Sequence, residues 1–346
     1  MSMKIAVNAR VTQFAMGGQQ RVAAEIASRL GPMTELVPDR PLGGMKAHAW
    51  EQVVLPVRAR GHLLWSPSAT GPVSKARQVV TLHDVAFLDV PEFFSRSFTA
   101  FYKALLPVLV RRVDRVVTVS AFSRARIAAT LGIDESRIDV IPNGVSRHFR
   151  PHALHEIAAT RAALDLPARY LLLQATSDRR KNLAATLRAW AIAQAALPDD
   201  ITLVVSGNLG RAHVFGDVEA LPDVPRTRLI GYVAEAHMGP LMAGAEAFLF
   251  PSLYEGFGLP IVEAMACNTP VLTAAATATD EIAGGAALLV DPASDAAIAE
   301  GIVALMRDEG LRTRLAADGL RRARDFSWDA AAGQYRTLFR ALGADI

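Results

Sequence analysis

The sequence predicts an α/β protein built from two doubly wound parallel sheets, and three observations predict it. The chain has 346 residues, too many for one ordinary domain and enough for two of roughly 150 to 200 each. Short apolar, β-rich runs alternate with helical patterns, as buried parallel strands joined by crossover helices require. After a Pro-bearing stretch, the same alternation starts afresh.

Taken in order, Lys4–Ala9 reads as a strand and Gly18–Leu30 as a helix. Gln78–Leu82 and Arg115–Val119 read as strands, with the helix Phe98–Val113 between them. A helix at Ala121–Leu131 and a strand at Ile138–Ile141 close the first half. The seam falls near Phe149–Pro167, where Pro151 and Pro167 flank a helical piece. The second half opens with the strand Arg169–Gln174 and a helix from Asn182 to Ala196. Strands follow at Ile201–Val205, Arg228–Ile230, Ala247–Phe250, Val271–Thr273 and Ala287–Val290, and helices at Arg312–Arg324 and Trp328–Leu342. Two such lobes are expected to hold a ligand cleft between the C-terminal edges of their sheets.

Composition narrows the class. Hydrophobic residues make up 51% of the chain, so sizeable cores can form, yet no uncharged apolar run reaches the roughly 20 residues of a spanning helix. The stretch before Ile5 is too short for a signal peptide and leads straight into a strand. Cys267 is the single cysteine, which fits a reducing cytoplasm and a small buried hydrophobe rather than a nucleophile. Net charge is +3 but divided: 21 Lys and Arg against 13 Asp and Glu up to Asp165, then 16 against 21 from Leu166. A basic first half points to an anionic acceptor or membrane surface. The segment Arg96–Arg115 mixes Arg96, Lys103, Arg111, Arg112 and Arg115 with Phe98, Phe101, Tyr102, Leu105 and Leu109. It is either a basic amphipathic helix on an anionic membrane or a core-facing helix with solvated Arg, kinked or interrupted by Pro107. No nucleic-acid partner is expected.

The densest chemical signal is Phe250-Pro-Ser-Leu-Tyr-Glu-Gly-Phe-Gly-Leu-Pro-Ile-Val-Glu263. A buried strand ends at Phe250, a glycine loop follows, and Pro260 suits a first helical turn. Gly256 and Gly258 let backbone approach a ligand, and the N–H groups near Gly258 and Leu259 make an anion cradle. Glu255 and Glu263 bracket that cradle. They suit hydroxyls on either side of a phosphate, the layout of ribose, pyrophosphate and hexose in a nucleotide sugar. Arg180 and Lys181 follow a strand and suit a diphosphate; His83 follows the strand Gln78–Leu82 and could donate a hydrogen bond or shuttle a proton. Gly17 and Gly18 precede the first helix, and Gly207 follows the strand Ile201–Val205.

This segment resembles the Glu-x7-Glu motif of retaining glycosyltransferases of family 4, the glycosyl transferases group 1, which have the two-lobed GT-B fold. The resemblance extends over nearly the whole chain. It includes His83-Asp84, Val119-Ser-Ala-Phe-Ser-Arg124, Ile141-Pro-Asn-Gly-Val145, Arg180-Lys181-Asn182 and Ala287-Leu-Leu-Val-Asp-Pro292. It implies an acceptor-binding domain at 1–165, a donor-binding domain at 166–326 and a terminal helix at 327–346 packing back on the first. It implies that Glu255 and His83 act on the donor hexose, Glu263 on the ribose, and Arg180 and Lys181 on the pyrophosphate. Gly17, Gly18, Gly207, Gly256, Phe257, Gly258 and Leu259 would complete the donor site. Two departures stand out. Ala175 takes the place where many relatives carry Gly or Arg, and Thr277-Ala-Thr-Asp-Glu281 replaces their Ser-x-x-Pro-Glu; Thr279 or Asp280 is expected to cap the helix that follows.

The expected activity is transfer of a hexose, mannose from GDP-mannose in the first instance, to a glycan or lipid-linked acceptor in cell-surface polysaccharide synthesis. It is expected to need no metal or other cofactor, and to occur in the cytoplasm or peripherally on the inner face of the membrane. A UDP-hexose donor is the alternative, and a sugar-nucleotide epimerase on the same fold a further one. A dinucleotide oxidoreductase fits poorly, because Asn8-Ala-Arg-Val-Thr-Gln-Phe-Ala-Met-Gly17-Gly18 holds no Gly-x-Gly-x-x-Gly.

Overall fold

The structure, a computed structural model, describes residues 3–13, 17–208 and 222–346. The chain divides into two compact units. The first takes the described residues up to Pro91, Arg96–Gly144 and Ser327–Ile346; the second takes Glu92–Ser95 and Val145–Phe326. The chain thus passes into the second unit at Val145, about 20 residues before the expected boundary at 165/166. The reason is packing: the helix Leu154–Ala163 lies against the helix Glu235–Ala243 of unit two. Ile157 and the Tyr170 hydroxyl both crowd Gly244, just beyond that helix, within 3 Å of where a Cβ would sit.

Unit one is a six-stranded, wholly parallel sheet: β1 (Lys4–Asn8), β2 (Thr34–Leu36), β3 (His62–Ser66), β4 (Gln78–Thr81), β5 (Arg115–Thr118) and β6 (Ile138–Val140). Its order is β2-β1-β3-β4-β5-β6. Every residue of β4 and all but the first of β3 and β5 are buried, as expected of strands covered by helices on both faces. The terminal helix Trp328–Ala341 seals this sheet. Its Tyr335 and Phe339 rings lie 5.3 and 6.1 Å from Trp65. The Thr81 hydroxyl accepts from the Trp65 indole at 3.0 Å and pairs with the Tyr335 hydroxyl at 2.9 Å, so two buried polar side chains are satisfied at one point.

The helix Arg96–Arg112 runs through Pro107 as one element, so the proline does not interrupt it. Its apolar stripe faces inward: Leu106, Leu109 and Val110 are buried, Phe98 meets Phe87 edge-on at 5.8 Å and Tyr102 lies tilted against Phe87 at 4.5 Å. Arg96, Lys103, Arg111 and Arg112 stay exposed. Among the described residues no helix is long and apolar enough to cross a membrane.

Unit two repeats the scheme with β7 (Arg169–Gln174), β8 (Ile201–Ser206), β9 (Thr227–Gly231), β10 (Ala247–Phe250), β11 (Val271–Ala274) and β12 (Leu288–Val290), ordered β12-β11-β10-β7-β8-β9 and again wholly parallel. Leu171, Leu173, Leu203, Leu249 and Leu272 from its strands meet Trp190, Ile298 and Ile302 from the helices Leu183–Ala193 and Asp295–Arg307 in one core. The expected helix at Arg312–Arg324 begins at Glu309, because the Asp308 carboxylate caps it by accepting the Leu311 N–H.

Candidate functional site

The sheet of unit two changes direction at β7: β8 and β9 lie to one side, and β10, β11 and β12 to the other. In open α/β sheets such a switch point leaves a crevice beyond the carboxyl ends of the two diverging strands, and ligands bind there. The segments leaving β7 and β10 carry Arg180, Lys181, Glu255, Gly256, Phe257, Gly258, Leu259 and Glu263.

After β7 the chain turns through Asp178, whose carboxylate caps a single 3-10 turn at Arg179–Lys181. Asn182 ends the turn in the left-handed region at φ 60, a conformation that Asn tolerates better than most residues. Its side-chain amide donates to Pro251 O at 3.0 Å and Pro292 O at 2.7 Å. The backbone O of Arg180 accepts the Leu253 N–H at 2.8 Å. The turn is thereby clamped to the loop that leaves β10. Across this clamp, Lys181 Nζ donates to Glu255 Oε1 at 2.6 Å and lies 4.9 Å from the Phe250 ring centroid. Arg180 is held by Asp178, with Nε and Nη2 donating to its carboxylate at 3.1 and 2.6 Å.

Beyond β10, Gly258 takes φ +90 at the start of the helix Leu259–Ala266. Only glycine adopts that conformation without strain, and a Cβ there would also come within 2.8 Å of the Thr279 methyl. Among the described residues no side chain caps this helix at Gly258, and Pro260 in its first turn has no N–H to satisfy. Phe257 is buried edge-on against Phe326 at 5.5 Å. Glu263 is buried on the second turn. The cap of the next helix, Ala278–Ala283, is neither Thr279 nor Asp280 but Thr277, which accepts the Thr279 N–H. Thr279 instead donates to Ala274 O at 3.0 Å and turns its methyl toward Gly258.

Gly207 has an internal reason to be glycine. At φ +129 its Cβ would stand 1.8 Å from Ala175 O, so the close approach of two chain segments demands it. Gly17 and Gly18 are different: both are exposed, and a Cβ at Gly18 would meet nothing within 4 Å. Packing within unit one does not require glycine there.

His83 lies beyond β4 in unit one and is buried. Its Nε2 is 2.9 Å from Pro67 O. A carbonyl only accepts, so Nε2 carries the hydrogen and Nδ1 the lone pair. Burial lowers its pKa from the usual 6.5 against the opposing pull of Pro67 and Asp84, so the ring is neutral above pH 6.5. It can accept a hydrogen from a ligand hydroxyl, whereas the donor role open to it from sequence is already spent on Pro67. Cys267 is a buried free thiol whose pKa burial pushes up to about 12, the behaviour of a small hydrophobe.

Sequence reasoning missed several polar groups of this edge. Asp178 is buried although charged, and its only signal is an acid directly before a basic cluster. Buried polar atoms with no hydrogen-bond partner among the described residues also gather at the strand ends: Gln174 Oε1 on β7, Ser206 Oγ on β8 and Ser252 Oγ just past β10. Nothing in their local sequence marks them. Together the segments offer cations and a helix start for an anion, with Glu255 in the loop before that helix and Glu263 within it.

A family profile described as "Glycosyl transferases group 1" matches residues 169–308, and one described as "Glycosyltransferase Family 4" matches residues 58–149. The chain is 29% identical over 286 residues to O-antigen chain mannosyltransferase B of Escherichia coli, covering 82% of this chain and 75% of that protein. It is 29% identical over 360 residues to a D-inositol 3-phosphate glycosyltransferase of Salinispora tropica, covering 88% and 73%. A phosphatidyl-myo-inositol mannosyltransferase of Mycobacterium leprae is 28% identical over 251 residues, covering 72% and 64%. In fold, the chain superimposes on HepE of Anabaena, solved with UDP and glucose, with a TM-score of 0.75 at 18% identity over 98% of this chain and 100% of that one. WaaG, a glycosyltransferase of lipopolysaccharide biosynthesis, gives 0.73 at 16% identity over 97% and 99%.

Proposed function

The chain belongs to glycosyltransferase family 4, the glycosyl transferases group 1, with the GT-B fold and a likeness to its mannosyltransferases, and from that premise we propose that it moves mannose from GDP-mannose, with retention, onto a glycan or lipid-linked acceptor in cell-surface polysaccharide synthesis. One observation carries the reading: Lys181 and Glu255 meet at 2.6 Å at the switch point of unit two, beside the uncapped helix start at Gly258. Lys181, Arg180 and the backbone from Gly256 to Leu259 take the diphosphate, Glu263 the ribose, and Glu255 the hexose. His83 offers Nδ1 to a substrate hydroxyl.

The chemistry follows from these charges. The acceptor oxygen bonds to the anomeric carbon on the face that the diphosphate leaves. The bond from that carbon to the phosphate oxygen breaks, and the acceptor proton passes to that oxygen. Negative charge grows on the departing diphosphate, where Lys181 and the helix start stabilise it more than in the ground state. Those groups supply the positive charge, so the reaction calls for no metal. The hexose ring gains positive character, which the Glu255 carboxylate favours. The enzyme acts in the cytoplasm, or peripherally at the inner face of the membrane, on a glycan or lipid-linked acceptor.

A UDP-hexose is the second donor to test, since HepE was solved with UDP and glucose. A thermal-shift panel of GDP, UDP and ADP with their sugars discriminates the base: a ligand at 100 times its dissociation constant stabilises by about 2.7 kcal/mol. Proton NMR of the product from the chosen donor then reads the anomeric configuration. The expected results are a shift with GDP and an α-linked product. An inverted product removes the same-face mechanism, and diphosphate released without acceptor favours an epimerase.

A further inference from the structure

Among the described residues before Val145, Glu92–Ser95 alone folds with unit two. It brings two aromatic rings to the cation cluster beyond β7. The Arg179 guanidinium carbon lies 5.5 Å from the Phe93 ring centroid, and that of Arg180 lies 4.9 Å from the Phe94 centroid. Phe94 is buried, and the Arg180 side chain is only 16% exposed. Asp178 grips Arg180 at the same time, through Nε at 3.1 Å and Nη2 at 2.6 Å. A bidentate carboxylate fixes one edge of the planar guanidinium, and a ring fixes one face. Together they set both its plane and its direction, with the Nη1 edge turned away from Asp178. Asp178 is itself anchored, because its Oδ1 also accepts the Arg180 backbone N–H at 3.0 Å.

Resting on the donor reading above, we propose that Phe94 and Asp178 are positioning residues that aim the Arg180 guanidinium at the donor diphosphate. A short stretch of the amino-terminal half of the sequence is on this account part of the nucleotide site. Neither residue touches the diphosphate; each acts through Arg180. The ring platform keeps the guanidinium desolvated on one face, so less side-chain freedom is lost when phosphate binds.

The test is calorimetric titration of GDP and UDP into the full-length protein, its variants and their combinations with Arg180→Ala. Phe94→Leu should weaken binding of the preferred diphosphate about 2-fold to 30-fold, the range of a cation–π contact. Phe94→Tyr keeps the ring and should stay within about twofold of wild type. In the Arg180→Ala background, Phe94→Leu should change affinity no further. Asp178→Asn keeps the packed ring and the cap but loses the charged grip; it should act in the same direction and be absorbed in the same way. Losses that add to that of Arg180→Ala, or that Phe94→Tyr does not rescue, would overturn the proposal. Wild-type protein that binds neither diphosphate would remove the donor reading itself, whereas tight wild-type binding unchanged in Phe94→Leu and Asp178→Asn would remove only this inference.

Discussion

Lys181 Nζ pairs with Glu255 Oε1 at 2.6 Å, and that contact separates the two carboxylates of the motif. For Lys181 to reach a phosphate, its bond to Glu255 must yield. Glu255→Gln removes the competing charge, so nucleoside diphosphate affinity should hold or rise by up to about tenfold, while turnover falls by about 10-fold to 1000-fold through the lost charge at the hexose. Glu263→Gln should instead weaken the diphosphate complex by about tenfold, since an amide accepts ribose hydroxyls less strongly than a carboxylate. Titration of the diphosphate alongside initial-rate kinetics checks both; equal losses of affinity would contradict a two-ended donor site. The motif displayed these glutamates in the sequence. It could not display that Lys181 is the partner of Glu255, because 74 residues separate them and only the adjacency of β7 and β10 brings them together. Phe94 was illegible for the same reason: its role depends on a chain crossing, and its neighbourhood reads as an ordinary loop.

At the scale of elements, the terminal helix carries the sharpest expectation. Tyr335 is buried against Trp65 and its hydroxyl meets Thr81. Tyr335→Ala should destabilise unit one by about 3–5 kcal/mol, as other large aromatic truncations do. Tyr335→Phe should cost only about 0.5–1.5 kcal/mol, since Thr81 keeps the Trp65 indole as a partner. Denaturant unfolding measures both, and equal costs would mean that the hydroxyl, not the ring, holds the helix. Most strands were legible from their apolar runs, within a residue or two at either end. β2, three residues long, gave no run to read. β3 was missed because His-Leu-Leu-Trp-Ser is too short to show a period. The helix Asp295–Arg307 was missed because its alanines blur the apolar stripe, although Ser294 caps it by accepting the Ala297 N–H.

At the scale of the whole molecule, charge is the property that no single element explains. The first 165 residues hold the excess of cations and the remainder an excess of anions. The apolar stripe of Arg96–Arg112 is spent on the core of unit one, so docking on a membrane would be electrostatic rather than insertive. Sedimentation with phosphatidylserine vesicles should therefore fall steeply as salt rises from about 0.05 to 0.5 M, and neutral vesicles should bind nothing. Binding indifferent to salt or lipid charge would rule out the basic face as the cause. The return of the chain to unit one at Ser327 has a consequence for synthesis. Domains generally fold in the order in which they leave the ribosome, amino-terminal first. Here Tyr335 and Phe339 emerge only after the whole of unit two has been made, and unit two closes on itself through the Val145 N–H and Phe326 O at 3.2 Å. The later-made half is therefore the first that can be complete, and until Trp328–Ala341 is made the amino-terminal sheet lacks the Tyr335 and Phe339 rings that pack on Trp65.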